Sequence, residues 1–105
     1  MTVNQFRRLA LSLPEAVESS HQAHPDFRIR NKIFATLGYP DARWGTLKLT
    51  SEQQAEVLLG VPDAFRPAAG AWGRSGSTVV LLSAIKIAIL RPILQRAYEN
   101  IAASR

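Results

Sequence analysis

Between Ser83 and Ile101 the chain carries its most regular pattern. Ile85, Ile89, Ile93, Ala97 and Ile101 recur every four residues, and Leu90, Leu94 and Tyr98 form a second row beside them. Spacings of three and four place both rows on one side of an α-helix, with Ser83 set to cap it. A helix with so broad an apolar stripe has to lie on something, and the rest of the chain must supply that surface. Pro92 falls inside the run. A proline in a helix interior removes one backbone hydrogen bond and crowds the carbonyl four residues back, at a cost of about 3 kcal/mol. A kink or break near Arg91 is therefore expected. The stretch Val79–Leu94 is also the most hydrophobic of the chain, but Ser83, Lys86, Arg91 and Pro92 interrupt it. It falls short of the ~20 apolar residues a bilayer crossing needs.

The surface under that helix is predicted to be a sheet. Phe27–Arg30 alternates, with Phe27 and Ile29 on one side and Arg28 and Arg30 on the other. Asn31-Lys32 then suggests a tight hairpin into Ile33–Leu37, and Gly38-Tyr39-Pro40-Asp41 a second turn. In Arg43–Leu49, Leu47 and Leu49 share one side and Trp44, Thr46 and Lys48 the other. Val17–Gln22 is a weaker strand, and Thr78–Leu82 a further one.

Two more helices are marked by their ends. Thr2 with Gln5, and Thr50 with Gln53, have the spacing of a capping box. The first helix presents Phe6, Leu9, Ala10 and Leu13, and Pro14 stops it. The second presents Ala55, Leu58 and Leu59 inward and closes at Gly60 before Pro62. Residues 62–71 read as a loop anchored by Phe65, and Trp72–Ser77 as a turn with Arg74 at its tip. Strands joined by short turns are antiparallel. The expected fold is α+β in two layers, an antiparallel sheet with helices packed on one face. At 105 residues this is one domain, 1–105.

The chain has no cysteine, which excludes a disulfide scaffold, a thiolate metal site and a cysteine nucleophile. The apolar stretch near the N-terminus, Leu9–Leu13, is broken by Ser12 and followed by Pro14, too short for an export signal. A cytoplasmic location is the default expectation, with no membrane partner. No Gly-rich phosphate loop, nucleophile elbow or HExxH motif is present, so no catalysis and no cofactor are expected. Glu15/Glu18 and Glu52/Glu56 read as helix-end or solvated charges. His21, His24 and Asp26 are metal-ligand types. Their spacing on an extended, proline-interrupted segment does not put all three on one side, so no metal is expected.

Charge is the remaining signal. The net charge is +5, and residues 27–48 hold Arg28, Arg30, Lys32, Arg43 and Lys48 against Asp41 alone. Alternation sets Arg28, Arg30, Trp44 and Lys48 on the solvent side of the sheet. Cations there attract phosphates, and an aromatic among them can stack on a base. The same charges equally suit a plain solvated face that keeps a sheet soluble.

Leu13-Pro14, Glu18, His24-Pro25-Asp26-Phe27, Lys32-Ile33-Phe34-Ala35, Lys48-Leu49 and the closing hairpin with its long helix occur in an order that resembles the MmcQ/YjbR-like family, over roughly residues 5–103. The resemblance implies a fold similar to bacterial frataxin. It also implies DNA binding in which two β-hairpins act as paired wings. Many members carry a basic residue and then a His-Trp pair in the last hairpin; here the stretch is Arg74-Ser75-Gly76-Ser77, so only the basic residue is kept. The iron delivery suggested by the fold analogy needs an acidic surface, whereas the first helix shows Arg7 and Arg8.

The reading is a small protein that contacts duplex DNA phosphates through Arg28, Arg30, Lys32, Arg43, Lys48 and Arg74, with Trp44 packed or stacked among them, as a monomer or weak homodimer. Two alternatives stand beside it. A protein-interaction module would use a patch at Trp44 and Val80. A small-ligand or enzymatic module would show a deep pocket lined by Trp44, Tyr39 or Trp72 with convergent polar groups.

Overall fold

The structure, a computed structural model, describes residues 1–103; the last two residues of the 1–105 span lie outside the described residues. The chain runs α1 (Val3–Leu11), β1 (Val17–His21), β2 (His24–Ile29), β3 (Lys32–Leu37), β4 (Trp44–Lys48), α2 (Ser51–Gly60), β5 (Phe65–Pro67), α3 (Gly70–Arg74), β6 (Ser77–Leu81) and α4 (Ile87–Ala102). The strands form one antiparallel sheet in the order β1-β2-β3-β4-β6-β5. It is the expected α+β architecture, with α1, α2 and α4 on one side. Among the described residues no helix is long and apolar enough to cross a membrane.

Both capping boxes form. Thr2 and Gln5 exchange side-chain and backbone bonds at 2.8 and 3.1 Å, and Thr50 and Gln53 at 2.9 and 3.1 Å. These pairs satisfy N–H groups that the first helical turn leaves free. α1 buries Phe6, Leu9 and Ala10. The core lies between the helices and the strand residues that face them: Phe27, Phe34, Leu47, Phe65 and Val80 are fully buried there, with Leu90, Leu94, Ala97 and Tyr98 of α4.

Several expectations need correction. α4 starts at Ile87, after a 3-10 turn at Leu82–Ala84 that contains Ser83, so Ser83 is not its cap. It runs unbroken through Pro92. The lost hydrogen bond is one turn from the start of the helix, and the buried row beyond it holds the helix on the sheet. In α2 the inward side is rotated. Ala55 is exposed and Leu59 is 87% exposed, while Val57, Leu58 and Val61 pack on the core. Gln54 turns inward because its amide donates to Gly73 O, Ser77 O and Thr78 Oγ1, at 3.0–3.2 Å. Gly60 is the last helical residue, and Val61 is the cap. The 62–71 loop contains edge strand β5, and the Trp72–Ser77 turn is largely α3.

The two hairpins at the β1 edge of the sheet turn on residue pairs with positive φ, Gln22-Ala23 and Arg30-Asn31. That is the mirror-image turn whose twist matches paired strands. The second sits one residue earlier than Asn31-Lys32. Arg30 is therefore in the turn, not on the strand, and its guanidinium donates to Ala102 O at 2.9 Å. The last turns of α4 hold other segments too. Tyr98 donates to Pro14 O at 2.8 Å and Asn100 to Lys48 O at 3.0 Å.

Candidate functional site

Cross-strand pairing decides what the side of the sheet opposite α1, α2 and α4, bare except for the short α3 at one end, displays. Directly opposed residues share a side, so the row Ser19, Asp26, Thr36, Thr46, Val79 and Arg66 runs from edge to edge across it. His21, His24, Arg28 and Ile33 lie on the same side, as do Trp44, Lys48 and Ser77.

Asp26 is the hub of the β1–β2 end. It is fully buried although no helix covers it. Arg28, two residues on and therefore on the same side, binds it with Nε to Oδ1 at 2.7 Å and a terminal nitrogen to Oδ2 at 3.0 Å. His21 Nδ1 donates to Oδ2 at 2.7 Å from across the hairpin. The hydrogen bonds from Arg28, then those from His21, hold the Asp26 carboxyl below its ordinary value, against the opposing effect of burial. Since an ionised carboxylate only accepts, the His21 nitrogen that faces it, Nδ1, carries a proton. The hairpin thus brings together His21, His24 and Asp26, which spacing alone had kept apart. The carboxylate is nonetheless taken up by Arg28, and no cluster of three metal-ligating side chains occurs among the described residues.

Beyond this hub the bare side is not flat. A cleft of about 230 Å³ opens between the β1–β2 hairpin, the β3–β4 turn and α3. Its floor includes Ile33, Thr36 and Thr46, and its rim carries His21, His24, Tyr39, Lys48 and Trp72. Trp72 is 67% exposed, and the Lys48 ammonium sits 5.8 Å from its ring centroid. The Thr46 hydroxyl oxygen is buried without a hydrogen-bond partner. α3 packs closely on the segment that follows β5 through a glycine: a Cβ at Gly73 would stand 1.8 Å from Ala68 O. Gly76, at φ +115°, lets the chain re-enter β6 against Leu49 O.

The residues expected to contact phosphate do not converge. Arg28 and Lys48 are on the bare side, but Arg28 is bound to Asp26. Arg30 reaches the end of α4, and Lys32 pairs with Ile29 at the hairpin end, on the helix side of the register. Arg43 precedes β4 at the opposite end of β3 and is bound to Asp41 at 2.8 Å. That arginine pulls the Asp41 carboxyl down to about 2. Arg74 is exposed in the last turn of α3 rather than at a hairpin tip. Trp44 is on the expected side but only 5% exposed, packed with Ala68 and Val79 beneath the Arg66 guanidinium at 5.1 Å. The proposed patch at Trp44 and Val80 does not exist, because Val80 faces the helices and Val79 is the neighbour of Trp44.

Of the aromatics the sequence suggests for a pocket, Tyr39 and Trp72 line this cleft and Trp44 does not, and the sequence does not point to Thr36, Thr46, His21 or Lys48 as its polar groups. The alternation that places Thr46 and Lys48 on the solvent side was readable. The short helix beside them was not, because a five-residue helix with two glycines carries no period.

Comparison with known proteins agrees with this architecture. A Deinococcus radiodurans protein whose crystal structure contains the family-model domain DUF419 superposes with a TM-score of 0.80, at 17% identity, over 96% of this chain and 78% of that one. At that identity the likeness shows a shared fold. No curated protein matches the sequence. The model of the YjbR family matches residues 11–100, from the end of α1 to the last turns of α4. The chain belongs to the YjbR family.

Proposed function

We propose that this protein is a small-ligand-binding module without catalytic turnover, and that the cleft on the bare side of its sheet is the binding site. The observation that carries this reading is the cleft itself, a concavity with an apolar and hydroxyl-bearing floor beneath Tyr39 and Trp72. Binding sites of small molecules have this composition, a largely apolar wall with a few placed polar groups. At about 230 Å³ it suits a ligand smaller than a typical drug, whose pockets start near ~300 Å³. The buried, unpartnered Thr46 hydroxyl supports it as well, since such a group gains from any partner a ligand brings.

A second reading, duplex DNA binding, is favoured by the net charge of +5 and by Lys32 and Arg74, which have no acidic partner among the described residues. It is weakened by the capture of Arg28 and Arg43 by aspartates.

One experiment separates them. Amide chemical shifts are followed while the full chain is titrated with a mixture of small organic fragments and, separately, with a short duplex at low and physiological salt. The expected result is fragment-induced shifts at Thr36, Thr46 and Trp72 and none with the duplex. Salt-dependent shifts at Lys32 and Arg74 with the duplex, and no fragment response, would replace the first reading with the second.

A further inference from the structure

We infer that the ligand class of this cleft is a small planar carboxylate, with its flat apolar body against Tyr39 and Trp72 and its charged head toward Lys48. The inference rests on the reading of the cleft as a ligand site and adds the chemistry of the occupant.

The argument starts from the charges of the lining. No aspartate or glutamate contributes to the cleft wall, whereas Lys48, His21 and His24 do. The nearest carboxylate, Asp26, is fully buried and engaged by Arg28 and His21. Lys48 has no acidic partner among the described residues, and its ammonium rests on the Trp72 ring. A cation half-buried beside an aromatic and away from carboxylates is complementary to an anion whose body can stack on that aromatic.

The number of donors selects the anion. Phosphate groups are held by arginine forks, helix N-termini or nests of free backbone N–H groups. The cleft has no arginine in its wall, and its floor is sheet backbone committed to the β3–β4 and β4–β6 ladders. One ammonium and two imidazoles match a single negative charge. Thr36 and Thr46 are directly opposed across β3 and β4, and their hydroxyls are the groups of the floor that can bond the carboxylate or a ring heteroatom. Volume sets the size. An apolar cavity of ~150 Å³ accommodates benzene, so about 230 Å³ takes a substituted single ring or a compact bicycle.

The test titrates the full chain with benzoate and indole-3-carboxylate, with their neutral amides, and with phenyl phosphate, reading tryptophan fluorescence and amide shifts. The expected result is that each carboxylate binds at least tenfold more tightly than its amide, with shifts at Thr46, Lys48 and Trp72. Lys48→Met should remove that preference, bringing carboxylate and amide to equal affinity, and Trp72→Ala should weaken carboxylate and amide alike. If amide and carboxylate bind equally, the cleft remains a ligand site and the carboxylate assignment falls. If phenyl phosphate binds more tightly than benzoate, the assignment of anion class falls. If no probe or fragment perturbs the cleft, the ligand-site reading falls with it. An unchanged spectrum outside the cleft in Lys48→Met shows that the variant is folded.

Discussion

The two sides of the sheet solve opposite problems. On the helix side, Phe6, Phe27, Phe34 and Phe65 are completely buried, and Phe34 meets Tyr98 edge to face with ring centroids 5.5 Å apart. On the bare side a small apolar cluster of Trp44, Ala68 and Val79 adjoins buried polar groups: Asp26 in its ion pair, the Thr46 hydroxyl and the Trp44 indole nitrogen, the last two without hydrogen-bond partners. The first side gains from closing on itself. The second holds groups that a purely structural surface would have replaced by apolar ones of the same shape, which is often neutral or stabilising. On the proposed reading of the cleft, stability belongs to the first side and recognition to the second.

That division is open to attack by substitution. The largest effect belongs to the helix side: Phe34→Ala should cost about 3–5 kcal/mol in denaturant unfolding. A loss below 1 kcal/mol would mean that the layer is not the main source of stability. Next comes Asp26→Ala, which leaves the donors of Arg28 and His21 unmatched and should cost about 1–3 kcal/mol. Because the folded-state pKa of Asp26 is depressed, its contribution is present above the unfolded-state value near 3.8 and is lost as pH falls through the lower folded value. Acid titration of stability should therefore show a decline below pH ~4 that is reduced in Asp26→Ala. Thr46→Val should leave stability unchanged or raise it by less than about 1 kcal/mol. A clear loss would show that the hydroxyl serves the fold, against the assignment of that side to recognition. The smallest effect on stability is expected for Trp72→Ala, within about 0.5 kcal/mol, together with loss of the fragment-induced shifts in the cleft. Retained binding would remove Trp72 from the site.

The sequence showed the helix side more fully than the bare side, for physical reasons. Capping boxes at Thr2 and Thr50, the Leu90, Leu94 and Tyr98 row of α4 and the alternation of β4 are local patterns, and each survives into the structure, whereas in the row beside it Ile85 precedes the helix and Ile89 is exposed. Three particular failures have three causes. A one-residue difference in turn placement moved Arg30 off its strand and onto α4, since Asn31 could occupy either turn position. The inward side of α2 was set by Gln54 bonding to distant backbone, which hydrophobic spacing does not register. The capture of Arg43 by Asp41 was adjacent in sequence, yet net charge counted both as solvated. The cleft itself needs β1, β4 and α3 at once, and no local pattern reports such a meeting.

The contacts made by the end of α4 have a dynamic consequence. Residues 98–102 tie down the α1–β1 connection through Pro14, the β4–α2 junction through Lys48, and the β2–β3 turn through Arg30. Helix ends normally fray by themselves, with little to lose beyond their own terminal bonds. Here fraying would release three segments far apart in the chain, so it is coupled to opening of the whole molecule. Slow hydrogen exchange should accordingly persist to the final turn of α4, and a change that melts that turn should loosen the β2–β3 hairpin at the other end of the sequence.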